Sequence, residues 1–304
     1  MQRAYISKLM ELAEQDRNVL HLVADSGTGF DEMFRRNFPE QLYNFGIAEA
    51  HMTAAAAGMA TGGKIPFIYT AGAFLVYRAY EFIRDDVCFQ NLNVKIVGMG
   101  SGLAWSTLGP SHHTTEDVSA LRALPNLCIL SPATPLEAAA CVELAYRHEG
   151  PVYIRIGMNN EKEFYEEGHG PMIGKNEFMK AGGDVTVFTT GSILEEVWEA
   201  GRMLEEKGIH MGIVNVVSLK PFDAESVLAA ESGLIVTVEE HNVYGGLGGI
   251  VSEVIAGAGI GRRVVRIGLE DRFAAGYGTQ QSVRGENGLD AAAICCRIME
   301  ALHE

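Results

Sequence analysis

NFGIAEAHMTAAAAGMATGGKIPFIYTAGAFLVYRAYEFIRDDVCFQNLNVKIVGMGSG, from Asn44 to Gly102, decides the fold class. A turn at Gly46 opens an alanine-rich helix, KIPFIYTAG reads as a strand, FLVYRAYEFIRDDVCFQ as a helix and NVKIVGMGSG as the next strand. Strands alternating with helices of this length imply a mainly parallel sheet covered on both faces. Upstream lie an amphipathic helix, with Tyr5, Leu9, Leu12 and Ala13 on one face, and the strand NVLHLVADSG. Downstream come the polar, glycine-rich loop LAWSTLGPSHHTTED, a short helix, the strand LCILSP, a helix opened by Thr134-Pro135 and the strand PVYIRIG. From Met158 to Gly183 the pattern breaks into a charged stretch, and we expect a linker over residues 161–183. A second run of strands and helices follows, from DVTVFTTGS to RVVRIGL. The expectation is two doubly wound α/β domains, residues 1–160 and 184–304.

Composition narrows the function classes. The chain has 304 residues, 24 Lys and Arg against 39 Asp and Glu, and a formal charge of −15. Such a surface argues against a nucleic-acid partner, because phosphate neutralisation needs cations. The uncharged stretch closest to a span, Ile65 to Tyr77, is short and carries Pro66 and Gly72, so no membrane span is expected. Glu11, Glu14 and Asp16 interrupt any apolar core of a leader peptide. Five cysteines without a C-x-x-C pair suit buried thiols in a reducing compartment, and the expected location is the cytoplasm. Vicinal Cys295 and Cys296 read as core thiols of a helix, with a redox pair as the alternative.

Several residues carry candidate chemistry. Glu49 sits at the start of the alanine-rich helix, where burial without a partner would cost several kcal/mol and raise its pKa. It could then share a proton with a ligand nitrogen; equally, it could be a first-turn acid favoured by the helix dipole. Phe74, Tyr77 and Tyr80 follow at helical spacing, suited either to gripping a flat heteroaromatic ring or to the core. GPSHH, Gly109 to His113, occupies a loop after the third strand, where ligands bind in parallel sheets. His112 or His113 could bond a sugar oxygen or move a proton; the alternative is a solvated pair ahead of a capped helix. No zinc spacing surrounds them. YGGLGG, Tyr244 to Gly249, lacks the spacing of either standard phosphate fingerprint and reads as a tight turn opening a helix.

Taken together, YNFGIAEAHMTAAAAGMA, FLVYRAYEFIRDDVCFQNLNVKIV, LGPSHHTTEDVSALRALPN, GPVYIRIG and VTVEEHNVYGGLGG resemble the C-terminal half of transketolase, above all the C-terminal subunit of split transketolases. The resemblance covers nearly the whole chain and implies a pyrimidine-binding domain followed by a transketolase C-terminal domain. It implies thiamine diphosphate as cofactor, with Glu49 on the pyrimidine N1′, promoting the imino tautomer whose exocyclic nitrogen deprotonates the thiazolium C2. Phe74 and Tyr77 match the aromatic pocket around the pyrimidine, Tyr80 is a third member, His112 matches the histidine that contacts the donor sugar, and Thr28 is a polar substrate contact.

Two features of that family pattern are missing. The G-D-G…N motif that binds diphosphate and Mg²⁺ does not occur, so the resemblance implies a separate N-terminal-half subunit carrying those ligands, in a heterotetramer. Substrate-side residues also depart. Gly100 stands for a phosphate-binding histidine, Met158 for an arginine, Gln2 for an arginine near the start, and Leu108 for an aspartate that contacts a sugar hydroxyl. Each lost cation removes charge-assisted hydrogen bonds worth about 1.5–3 kcal/mol. The expected activity is transfer of a two-carbon ketol unit with an atypical donor or acceptor, non-phosphorylated or nucleotide-linked. The alternatives are a decarboxylating thiamine enzyme, of the 2-oxoacid dehydrogenase β or deoxyxylulose-phosphate synthase kind, and a non-catalytic partner subunit.

Overall fold

The computed structural model describes residues 1–25 and 29–304. The first half runs α1 (Gln2–Gln15), β1 (Val19–Val23), α2 (Gly29–Asn37), β2 (Leu42–Asn44), α3 (Glu49–Thr61), β3 (Ile65–Ala71), α4 (Gly72–Arg78), α5 (Tyr80–Phe82), β4 (Lys95–Met99), α6 (Asp117–Leu121), β5 (Cys128–Leu130), α7 (Pro135–Arg147) and β6 (Val152–Ile156). The second runs β7 (Glu177–Lys180), β8 (Val185–Thr190), α8 (Leu194–Glu205), β9 (Met211–Asn215), β10 (Ser218–Lys220), α9 (Ala224–Ala229), β11 (Leu234–Asn242), α10 (Leu247–Ala258), β12 (Arg263–Leu269), α11 (Gln280–Glu286) and α12 (Ala291–His303).

The first sheet has the order β10-β5-β6-β4-β3-β1-β2 and the second β12-β11-β8-β9-β7. Pairing is parallel except for β10 on β5 and β7 on β9. The α/β reading of both halves therefore holds. Central strands β4 and β6 are buried along their whole length, as strands covered on both faces must be. Helix starts follow their caps. Thr134 accepts from the Glu137 N–H ahead of α7, and Asp290 accepts from the Ala293 N–H ahead of α12.

Three details differ from the sequence reading. The stretch 161–183 contains β7, which edges the second sheet. The aromatic helix after β3 is broken, with α4 ending at Arg78, α5 following, and a π-helical turn over Ile83–Cys88. Cys296 is exposed, while the other four cysteines are buried. A helix turns successive residues by about 100°, so two adjacent cysteines cannot both face the core of a surface helix.

The two halves are not separate bodies. β10 belongs to the second half in sequence and completes the first sheet. One apolar core runs from Leu22, Met52 and Ile96 of the first half to Phe188, Val214 and Leu247 of the second. At the seam, Arg155 of β6 donates to Asp117 at 2.8 Å and to the carbonyls of Thr114 and Glu240 at 2.9 and 3.0 Å. This buried cation pins the end of β11 to the loop that carries GPSHH, which fixes that loop relative to both sheets.

Candidate active site

Glu49 is the first residue of α3, reached through a turn at Gly46 whose φ of +67° suits glycine. Its side chain is 2% exposed. The partner that its burial requires comes from the next helix, where Arg78 Nη1 donates to Glu49 Oε2 at 2.8 Å. Arg78 is the last residue of α4, and its guanidinium lies 5.3 Å from the centroid of the Phe74 ring. The helix spacing of Phe74 and Arg78 puts ring and cation on one face. Arg78 is 53% exposed, so one side of this pair is sealed and the other open to solvent.

The loop after β4 is held by backbone bonds. Gly100 and Ser101 both donate to the Ile156 carbonyl at 3.0 Å, and Gly102 and Thr114 exchange a pair of bonds. This projects the intervening segment over the carboxyl ends of the strands. His112 is half-buried there, edge-on to Phe74 at 4.9 Å and to Trp105 at 6.1 Å between centroids, with Ser111 Oγ 3.0 Å from its Nδ1. The structure therefore links Glu49, Arg78, Phe74 and His112 through successive contacts. It also separates the two histidines. His113 is buried, neither ring nitrogen has a hydrogen-bond partner among the described residues, and burial pushes its pKa down.

The other aromatic candidates are placed differently. Tyr77 is exposed, donates to Glu116 Oε2 at 2.8 Å and accepts from the Glu116 N–H. Desolvation and the neighbouring carboxylates raise its pKa well above the ordinary tyrosine range. Tyr80 is partly buried, packs against the core and donates to the Ala120 carbonyl at 3.1 Å. Thr28 lies outside the described residues.

The positions lacking family cations are filled in other ways. A Cβ built on Gly100 would collide with Trp105 Nε1, so the indole occupies the space a side chain there would take. Gln2 donates to the Tyr69 hydroxyl at 3.0 Å, and Met158 lines an interdomain cavity beside Trp105. No phosphate cradle forms at YGGLGG either. Glu239 accepts from Leu247 and Gly248 N–H at 2.7 and 2.8 Å, so the chain's own carboxylate takes the N-terminus of α10. Glu137, His169 and Glu177 place ligand atoms within 4.8 Å of one another, but Glu137 already accepts from Ala133 N–H and Asn215 Nδ2. A buried carboxylate, an aromatic ring and a histidine thus lie in succession along one face of this chain. Among the described residues, nothing beside Glu49 is arranged to hold a diphosphate with its metal ion.

Comparisons with known proteins place the chain in a family. The model of the transketolase pyrimidine-binding domain matches residues 1–161, and that of the transketolase C-terminal domain matches residues 174–294. The chain belongs to the transketolase family. A relative from Methanocaldococcus jannaschii, 37% identical over 99% of this chain and 96% of its own length, bears the name of a transketolase C-terminal section. An apulose-4-phosphate transketolase subunit from Actinobacillus succinogenes is 34% identical over 95% of this chain and 94% of its own. A solved structure described as a split gene transketolase, inactive beta4 tetramer, superposes with a TM-score of 0.91 at 36% identity, covering 99% of this chain and 98% of that one.

Within this transketolase fold, the sequence reading missed Arg78, Trp105 and Arg155. Arg78 had a local signal in its helical spacing from Phe74. Arg155 had none, since its partners lie in other elements, and Trp105 had none, since its contacts with Gly100 and His112 depend on how their shared loop folds.

Proposed function

We propose that this chain is the C-terminal subunit of a thiamine-diphosphate-dependent transketolase that moves a two-carbon ketol unit between sugars. The observation that carries the proposal is the buried Glu49 with an exchangeable partner, next to Phe74 and His112. When bound, thiamine diphosphate supplies a carbon nucleophile and a sink for the electron pair released on cleavage. Glu49 holds a proton at the pyrimidine nitrogen once Arg78 releases it, Phe74 walls the ring, and His112 bonds a sugar oxygen. Tyr77 rims the same face, and Thr28 is a further substrate contact in this reading.

The diphosphate and Mg²⁺ ligands belong, in this reading, to a separate N-terminal-half subunit, with two of each subunit in the assembly. Exposed Tyr77 and Phe273 around a cavity of about 740 Å³, which reaches Ser111 and Glu116, suit a partner's covering surface. Five free cysteines, four of them buried, accord with a reducing cytoplasm. Calorimetric titration of thiamine diphosphate with Mg²⁺ tests the split site: binding is expected to the co-purified complex and not to the isolated chain. Tight binding to the chain alone, or none to a folded complex, overturns it.

The acceptor or donor is atypical, because Gly100, Met158 and Gln2 supply no cation for a terminal phosphate. Steady-state comparison of pentose phosphates with unphosphorylated aldoses checks this. A strong preference for the phosphates refutes it.

A further inference from the structure

Tyr77 lies one helical turn beyond Phe74 on α4, on the same face. Its hydroxyl makes a two-way contact with one residue of the facing loop. It donates to Glu116 Oε2 at 2.8 Å and accepts from the Glu116 N–H at 3.0 Å. Desolvation, with the carboxylates of Asp117 and Glu116 nearby, raises the pKa of the phenol and keeps it a donor. The second carboxylate oxygen, Glu116 Oε1, accepts from the hydroxyl of buried Thr115 at 2.8 Å, so the carboxylate is held from the loop side as well.

The other anchors of this loop refer it to the first sheet. Gly100 and Ser101 donate to the Ile156 carbonyl, Gly102 pairs with Thr114, and Arg155 of β6 takes the Thr114 carbonyl and the Asp117 carboxylate. None of these reaches α4, which carries Phe74 and ends at Arg78, the partner of Glu49. Among the described residues, the two Tyr77–Glu116 bonds are the hydrogen bonds that join α4 to the loop. His112 stands four residues before Glu116, with its ring edge-on to Phe74. The clamp therefore closes the gap between the helix that carries the ring wall and the loop that carries the histidine. Tyr77 is exposed and Glu116 half-buried, so water can replace much of what the clamp adds to stability. Its geometry has no such substitute, because a misplacement of about 1 Å in a reacting group costs on the order of 100-fold in rate.

We infer that Glu116 is a positioning residue, which acts through the Tyr77 hydroxyl to set where His112 stands against the ring wall of α4. The assignment rests on the ketol-transfer reading for its effect on turnover, but not for its effect on the loop.

The test uses the co-purified complex with thiamine diphosphate and Mg²⁺, hydroxypyruvate as ketol donor and D-ribose or D-ribose 5-phosphate as acceptor. Glu116→Ala and Tyr77→Phe should each lower kcat about tenfold, with KM moved by less than about twofold and the melting temperature near that of the parent. Combined, they should lower kcat no further than Tyr77→Phe does alone, since both remove one interaction. Glu116→Gln should keep most of the turnover. Its amide oxygen accepts from Tyr77, and the Thr115 hydroxyl turns to accept from its amide nitrogen. Hydrogen–deuterium exchange of the amides of residues 105–113 needs no turnover, and should quicken in Glu116→Ala and Tyr77→Phe but not in Glu116→Gln. Losses that multiply in the double variant, a Glu116→Gln as slow as Glu116→Ala, a loss wholly in KM, or exchange that no variant alters, overturn the positioning role. Exchange that follows the expected pattern in a complex whose parent transfers no ketol unit keeps the clamp and removes the ketol-transfer reading.

Discussion

Glu49 and Asp117 are both buried carboxylates, and each is held by an arginine at 2.8 Å. The resemblance ends there. Arg155 is sealed beside Asp117, its Nη2 donates to two backbone carbonyls, and Asp117 also accepts from the Tyr153 hydroxyl at 2.7 Å. Arg78 is half in solvent and lies across an aromatic ring, and among the described residues no carbonyl holds it. A sealed pair cannot exchange its partner without leaving a naked buried charge, so it serves as a staple between the two halves. An open pair can give up its cation to water and accept another hydrogen-bonding group. Distance does not distinguish the two pairs; the exposure of the cation does.

The largest effect expected from this contrast is catalytic. Glu49→Gln in the assembled complex should cut turnover by about 10³-fold, the scale of a lost proton-transfer group, while the melting temperature stays near that of the parent. Steady-state assays beside thermal melts check both halves of the statement. Turnover surviving in Glu49→Gln would remove Glu49 from the role given to it.

The staple should respond in the opposite way. Arg155→Met leaves the Asp117 carboxylate buried beside no cation and should cost about 3–5 kcal/mol of stability in urea unfolding. The fraction that remains folded should still bind thiamine diphosphate with its partner, because Arg155 positions the GPSHH loop and touches no ligand.

A third carboxylate sharpens the comparison by having no cation paired to it among the described residues. Glu137 is buried at the start of α7, accepts from Ala133 N–H and Asn215 Nδ2, and burial pushes its pKa up to about 7. A group whose pKa is raised on folding binds its proton more tightly in the folded state. Its contribution is therefore complete below the ordinary value of 4.5 and is lost as pH rises through about 7. Unfolding free energies of the parent should fall by roughly 3 kcal/mol across that window from this group, and Glu137→Gln should flatten the slope. An unchanged slope would mean that Glu137 ionises without penalty.

Much of this was legible in the chain. The α/β order, the placement of Glu49 at a helix start and of GPSHH beyond a strand end depend on local periodicity and turns, which neighbouring residues determine. The partners were not legible in the same way. Arg78 lies 29 positions from Glu49, and nothing near Glu49 names it. Trp105 could not be paired with Gly100 from spacing, because the glycine matters by the side chain it lacks and the indole turns back onto it. β10 joins the first sheet from the second half because an edge strand recruits whatever backbone the tertiary packing brings to it, and periodicity carries no information about that choice. YGGLGG was legible as a turn, yet Glu239 as its occupant required the fold.

Arg78→Gln is the smallest expected effect and the most direct test of the contrast. If the exposed guanidinium is exchangeable, water and the amide can replace most of what it gives Glu49, whose place at the first turn of α3 already favours negative charge. The stability loss should then be about 1 kcal/mol or less, against the several expected for Arg155→Met, in paired urea titrations. The two distances are equal, so the contrast between the two variants weighs burial of the cation, the bonds it makes elsewhere and the access of water and a polar substitute to the carboxylate. Equal losses would make Arg78 a second staple, and Glu49 would then have no partner that it can release to a ligand.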